Sequence, residues 1–462
     1  MRITRSKRNA QQGNMIIVCV MFSVVLGITI ASYLIMVHSL YISSSRSGDW
    51  NTAMTLAEAG VEDALALVNK HVGDFANLKN WPATAVTADH WEADGNVYHA
   101  RRTPDAAMGY YDVWITNLDN AVSIYAEGTA TGNVTDPAQN GENVRKLLVQ
   151  AGLEPLFTMA AVAANNIDLN YNRVSVDSFD PTDPLHSNWS SNSTFGIYDS
   201  NKRKDDGTMG VNGSIVDIGT SNLKIYGYVQ TGLGGISNIQ QNVSVGDLTW
   251  NQSGIQPDHG SDDMNAYWPP VRLPVSDSEF NSLPTGTSTN IISINQSGYY
   301  KIDGDVLRNS LTVSPNVTNA VLYLTQGLDY DTFYNPQLSV PTNSSLTIYA
   351  AKQFVVDRNS AIFSTNAGNL FIYGLSNLTS IRLESDVNFT GCIYAPQSDL
   401  IIGDHPWWSY GLIQMIGSFV TKSISCNGTV IFSYPEDLLR TGSGPGGNIP
   451  ARGFVVTNWT EL

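Results

Sequence analysis

Residues 15–37 read MIIVCVMFSVVLGITIASYLIMV. These 23 residues contain no Asp, Glu, Lys or Arg, and a helix of that length crosses the hydrocarbon core of a bilayer. Arg2, Arg5, Lys7 and Arg8 precede the run, and no acidic residue occurs before Asp49. Positive charge on the short flank predicts a cytoplasmic N-terminus, with everything from residue 38 outside. The run exceeds the usual h-region of a cleaved signal peptide, and no A-x-A-like exit follows it.

Helical periodicity continues past the apolar run. Ala53, Leu56, Ala57, Gly60, Ala64, Leu67 and Val68 fall on one face, with Glu58, Glu62, Asp63 and Lys70 mostly elsewhere. The spacing predicts one helix over 14–72, with a soft spot at Ser43–Ser45 and Gly48. Its inner half would lie in lipid, and its outer half would lay a stripe of small residues against a globular partner. Beyond it, 109–117 (GYYDVWITN), 121–128 (AVSIYAEG) and 143–152 (NVRKLLVQAG) read as strands of a small antiparallel sheet. The gap Leu118-Asp119-Asn120 suits a hairpin turn.

Composition bounds the remainder. Of 462 residues only 14% are charged, against roughly 25% in soluble domains. Gly, Asn, Ser and Thr take their place, which favours short strands and tight turns. The net charge is −16, and without the four N-terminal cations 21 basic residues stand against 41 acidic ones. That balance argues against nucleic acid as a partner, because phosphate contacts need Lys and Arg. Three cysteines do not make a disulfide framework. Cys392 and Cys426 are expected as unpaired strand residues, a bond between them being the alternative.

A basic leader ending in Gly13, the apolar helix, then Ala57-Glu58-Ala59-Gly60-Val61-Glu62 resembles the type IV pilin-like proteins. The likeness is to the PilX-like minor pilins, whose helix carries an A-E-A-G stretch about 40 residues after the leader. The resemblance implies that a prepilin peptidase cuts after Gly13, leaving Asn14 as the new N-terminus, and that the helix packs with other pilin-like subunits. Most pilins place Glu at the fifth mature position, where this chain has Val18. Tip-type minor pilins also lack that glutamate, and a carboxylate without a partner is costly in lipid. A plain bitopic anchor is the alternative.

From about Leu156 short apolar triplets alternate with Asn, Gly, Asp and Ser. Tyr323, Tyr349, Tyr373 and Tyr394 close four similar segments at spacings of 26, 24 and 21, and Phe389–Cys392 is echoed 26 residues later by Met415–Ser418. Ile215–Val229, with its Leu223–Gly227 segment, is expected to be a first coil of the same stack. Repeats of 20–30 residues without helices predict a β-solenoid, with a β-sandwich as the alternative. FTGCIYAP (389–396), GSFVTK (417–422) and VDSFDPTD (176–183) resemble an uncharacterised C-terminal domain of bacterial pilin-like proteins, which implies a right-handed β-helix.

Candidate sites are sparse. Asp258, Asp262 and Asp263 are hard oxygen donors within one stretch, suited to Ca²⁺ or to acid–base work, with a solvated Asp/Gly turn as the preferred account. Asp177, Asp180 and Asp183 pose the same choice, with Asx-turns as the simpler account. Trp407 and Trp408 interrupt the coil rhythm and suit a sugar-stacking or protein-docking face, or packing over the solenoid. No nucleophile elbow, zincin, P-loop or dinucleotide motif occurs.

The expectation is therefore a mainly β protein: leader 1–13, transmembrane and amphipathic helix 14–72, small antiparallel sheet 73–155, right-handed parallel β-helix 156–440, and linker with C-terminal strand 441–462. The function expected is a non-enzymatic minor pilin or pseudopilin-like subunit of a type IV pilus or type II secretion-like system. It would be single-pass in the inner membrane, with its main body periplasmic or on the cell surface, and would require no cofactor. The rival readings are a surface adhesin binding a glycan and a tethered carbohydrate-active enzyme.

Overall fold

The computed structural model describes residues 9–70, 89–94, 97–116, 121–131, 143–153, 156–169, 173–189, 196–216, 223–235, 243–283, 291–304, 310–330, 336–357, 360–384, 387–403, 412–441 and 454–462. They fall into two compact units. One is drawn from 1–68, 79–152 and 456–462, the other from 69–78 and 153–455. The second unit is thus an insertion within the sequence of the first.

The first unit is built on one α-helix, Asn9–Lys70, which is about 93 Å long at 1.5 Å per residue. The expected soft spot is absent, and helix runs unbroken through Ser43–Ser45 and Gly48. Thr52 and Thr55 turn their hydroxyls back onto the carbonyls of Gly48 and Asn51, both at 3.0 Å, so these polar side chains are satisfied within the helix. The segment from Met15 is long and apolar enough to cross a membrane, and none of its apolar window is covered by the chain itself.

The outer half differs. Ala53, Leu56, Ala57, Gly60, Val61, Ala64, Leu67 and Val68 are all buried, so the small-residue stripe is a packing face. Its partner is an antiparallel sheet of β1 (Glu92–Asp94), β2 (Val97–Asp105), β3 (Gly109–Thr116), β4 (Ala121–Ala130) and β5 (Asn143–Leu153), followed by the C-terminal strand Phe454–Glu461. Alternation along the strands turns Tyr111, Val113, Ile115, Ile124, Ala126 and Val149 inward. Large side chains on the sheet meet small ones on the helix, and Gly60 lies beneath the Tyr111 ring. Burying Leu56, Val61, Leu67 and Val68 contributes about 1.5–3 kcal/mol each.

β1 and β2 were not legible in the sequence, whereas a C-terminal strand was expected. β2 carries Arg101 and Arg102, which mask its alternation. Both have partners: Arg101 donates two hydrogen bonds to Asp112, at 2.8 and 2.6 Å, and Arg102 lies 3.5 Å from Asp63 on the helix. The C-terminal strand hydrogen-bonds to β5, with Leu462 N–H donating to Lys146 C=O at 3.0 Å and Arg145 paired with Glu461. The hairpin turn expected at 118–120 lies outside the described residues.

The second unit is one large sheet, parallel throughout its ladders. The tyrosine alignment holds residue for residue: Tyr323 pairs with Tyr349, Tyr349 with Tyr373, and Tyr373 with Tyr394. The Phe389–Cys392 and Met415–Ser418 echo is likewise a ladder register. Leu346, Ile348, Leu370 and Ile372 fill the inside of these coils at 0% exposure. Cys392 and Cys426 are not disulfide-bonded; both are buried, far apart along one strand pair, opposite Ser418 and Ile402 respectively.

The coil at Ile215–Val229 is not the first. The chain enters the stack at Ala161–Ala163, Ile167–Asp168 and Val174–Phe179, and these strands lie between the second coil on one side and the last coil on the other. Followed through space, the stack runs from Asn281 up to Pro435, continues without a gap into Ala161, and ends at Ser261. Sequence order and stacking order are circularly permuted. At the resulting seam Val430–Pro435 pairs along its length with Val174–Phe179, and the Tyr434 hydroxyl donates to Phe157 C=O at 2.8 Å.

Permutation requires a return path, which residues 262–280 provide. Met264 N–H donates to Thr231 C=O at 2.9 Å, Ala266 N–H to the Asn212 side chain at 2.8 Å, and the Tyr394 hydroxyl to Pro269 C=O at 2.8 Å. Val271 then bridges Leu375, and Phe280 packs on Tyr299 and Tyr323. This strap descends the stack coil by coil. Met264, Ala266 and Trp268 turn inward while Asn265 and Tyr267 stay exposed, the alternation of an extended segment. It helps explain why tyrosines on the outer side of their strands are buried.

Helix and sheet backbones come close at Gly128, where a Cβ would stand 2.1 Å from Ala53 O and 2.5 Å from Ala57 N. Gly128→Ala should therefore push helix and sheet apart and cost about 1–3 kcal/mol. Thermal unfolding in detergent, followed by protease protection of β4, measures this; an unchanged midpoint would contradict the packing.

Candidate functional site

Asp258, Asp262 and Asp263 do not converge as a three-ligand metal cluster. All three are exposed, and among the described residues no three His, Cys, Asp or Glu side chains converge as metal ligands. Asp258 has φ +67° in a turn closed by His259 N–H on Gln256 C=O at 3.0 Å. Asp tolerates that left-handed conformation, so turn geometry accounts for it. Trp407 and Trp408 lie outside the described residues, as do the side chains of Gly13 and Asn14.

The DSFDPTDP segment divides in two. Asp180 accepts from Thr182 N–H at 2.8 Å, and Asp183 from Leu185 N–H at 2.8 Å; both are local turn makers. Asp177 differs. It points outward from the first coil yet is 0% exposed, because the segment that returns through Tyr198, Arg203 and Gly207 lies over it. The Tyr198 hydroxyl donates to its Oδ2 at 2.5 Å, and Arg203 stands 3.9 Å away. Oδ1 has no hydrogen-bond partner. Burial pushes the carboxyl up to about 6, against the opposing pull of the Tyr198 and Ser433 hydroxyls and Arg203.

Further polar groups tie the seam together here. Ser178 Oγ donates to Glu436 Oε1 at 3.0 Å, Lys204 pairs with Glu436 Oε2, and Glu436 N–H donates to Phe179 C=O at 3.0 Å. Beside this network, between Phe179, Pro181, Ile197 and Tyr198 above and Thr390 and Ile416 below, lies a cavity of about 160 Å³. The overhang crosses from the first coil onto the last ones, so the cavity exists only because the seam is closed. Glu436, Lys204 and Tyr198 gave no signal in the sequence. Tyr198 and Lys204 follow Asp177 within the same excursion of the chain, and the permuted order brings Glu436, more than 250 residues away, to join them.

Comparison with known proteins adds the following. Residues 262–441 match a family described as a domain of unknown function (DUF7305). The match covers less than half of the chain and coincides with the strap, the later coils and the short helix after them, leaving out the coils at 161–261. Among solved structures, the competence-associated pilin ComZ from Thermus thermophilus is similar at 12% identity over 89% of this chain and 97% of that one. Its TM-score of 0.19 is too low to carry an argument. No curated protein matches the chain.

Asp177 makes the seam sensitive to pH with a definite sign. Its pKa is raised on folding from an ordinary 3.8 to about 6, so its contribution is fully present below about pH 4 and is lost as pH rises through 6. The window is worth on the order of 3 kcal/mol at 1.36 kcal/mol per unit. Asp177→Asn keeps an acceptor for Tyr198 and removes the titration. Relative to that variant, the native chain should lose stability between pH 4 and 7 in thermal melts; parallel pH profiles would refute the assignment.

Proposed function

We propose that the chain is a non-enzymatic, membrane-anchored minor pilin or pseudopilin-like subunit that displays its inserted unit outside the membrane. The observation that carries this reading is the division of labour along one unbroken helix. Its apolar first half is bare, and its second half lies in an antiparallel sheet through Ala53, Ala57 and Gly60. A helix that served only as a bitopic anchor would need no rigid continuation into the outer sheet. The basic flank, Gly13 and the A-E-A-G stretch support assembly with other pilin-like subunits in a type IV pilus or type II secretion-like system. Prepilin peptidase would supply the mature N-terminus at Asn14.

In this reading the protein spans the inner membrane once, N-terminus inward, with its main body periplasmic or at the cell surface. The parallel ladders at coil spacing form a β-helix, right-handed as crossover connections between parallel strands are. An inserted unit covering 153–455 is too large to repeat at every step of a close-packed filament. A tip or initiation position suits it, and Val18 in place of glutamate agrees, since no subunit above would need pairing. The exposed, dispersed carboxylates at Asp258, Asp262 and Asp263 weigh against a tethered carbohydrate-active enzyme.

N-terminal sequencing of the membrane-extracted protein tests the assignment. The expected start is Asn14, and Gly13→Val should leave the leader in place. An intact leader on the native chain, or recovery of this protein as the main component of sheared fibres, would contradict it.

A further inference from the structure

Among the described residues one outward row of the stack stays partly open, and it leads into the cavity. Ser293 pairs with Thr312, Thr312 with Ser339, and Ser339 with Phe363. One position on from the Ile362–Phe389 pair lies Thr390, which pairs with Ile416. The neighbours on either side within these strands, Ile292, Leu311, Leu338, Ile362, Phe389 and Met415, are buried, so alternation turns the row outward. Beyond Ile416 the same row continues as Ser433 and Asp177, both at 0% exposure beneath the overhang.

The chemistry of this row is specific. From Ser293 to Ile416 it holds four hydroxyls, an exposed phenyl ring and an aliphatic side chain, with no charge. Phe363 is 47% exposed, which leaves part of its ring open for stacking. The row spans about 24 Å at the ~4.8 Å spacing of paired strands. Its backbone N–H and C=O groups are engaged up and down the stack, so an extended peptide finds no edge to pair with. At its end the cavity of about 160 Å³ compares with the roughly 150 Å³ that holds one benzene ring, room for a single ring-sized unit. Its walls combine the apolar Phe179, Pro181, Ile197 and Ile416 with hydroxyls of Thr390 and Tyr198.

We propose that this row and cavity bind a neutral glycan, with one terminal pyranose under the overhang and the following units laid over Phe363 and the hydroxyls. A pyranose offers what the row can take: an apolar C–H face for an aromatic ring, and hydroxyls at its rim for Ser and Thr. An acidic glycan would find no cation on the row. The inference is independent of whether the chain enters a filament, and concerns only the inserted unit.

The test uses the full chain in detergent with fluorescently labelled maltohexaose, cellohexaose and chitohexaose, and oligogalacturonate of equal length as the acidic control. At least one neutral hexasaccharide should bind by fluorescence anisotropy. Phe363→Ala should weaken it about tenfold, and Ile416→Trp, which fills the cavity, should abolish it. Both substituted sites face outward, and unchanged thermal melts verify that the variants fold. Failure of all three neutral probes at millimolar concentration, binding that survives both substitutions, or equal binding of the acidic control would overturn the proposal.

Discussion

Backbone pairing between successive coils is the constraint on which the inserted unit depends. A coil has no hydrogen-bonded structure of its own; each N–H and C=O in its strands is satisfied by the coil above or below. Every coil therefore requires neighbours on both sides or an end that tolerates exposure. The two ends are built for that. Gly254–Ile255 and Gly260–Ser261 at one, and Asn281–Ser282 at the other, are strands of two residues. So little edge discourages further pairing. The first coil in sequence cannot use this solution, because it sits in the middle of the stack and needs Val430–Pro435 beside it.

The permuted order has consequences for attachment. Phe157, where the chain enters the inserted unit, and Tyr434, near where it leaves, are hydrogen-bonded neighbours. Entry and exit thus lie together at the seam, and the C-terminal strand then completes the sheet that holds the helix. The strap is the cost of this arrangement, since a chain that ends its first coils at the top must return to the bottom. It also has a use, because it covers the outer side of Tyr394 and its neighbours, which would otherwise expose an aromatic stripe.

Sequence reading reached those features that depend on near neighbours in the chain. The helix stripe from Ala53 to Val68 followed from a 3.6-residue period, and the tyrosine registers followed from coils that are consecutive both in sequence and in space. The soft spot at Ser43–Gly48 was misjudged because a helix tolerates isolated serines and one glycine within its hydrogen-bond ladder. The seam left no periodic trace, since its partners are separated by more than 250 residues. For the same reason Asp177 was noticed as one acid among three, while the burial that sets it apart was not. Asp258 to Asp263 illustrate the reverse: density in sequence without convergence in space.

Ser175 and Ile431 are half-buried register partners across the seam, on neighbouring strands about 4.8 Å apart. A chain carrying Ser175→Cys and Ile431→Cys should be bridged within the chain by a dithiol-specific reagent that spans about 5 Å, such as dibromobimane, identified by mass spectrometry as one linked peptide pair. Unlinked thiols at both positions in a folded, monomeric sample would show that the first and last coils are not neighbours, and the permuted stack would be wrong.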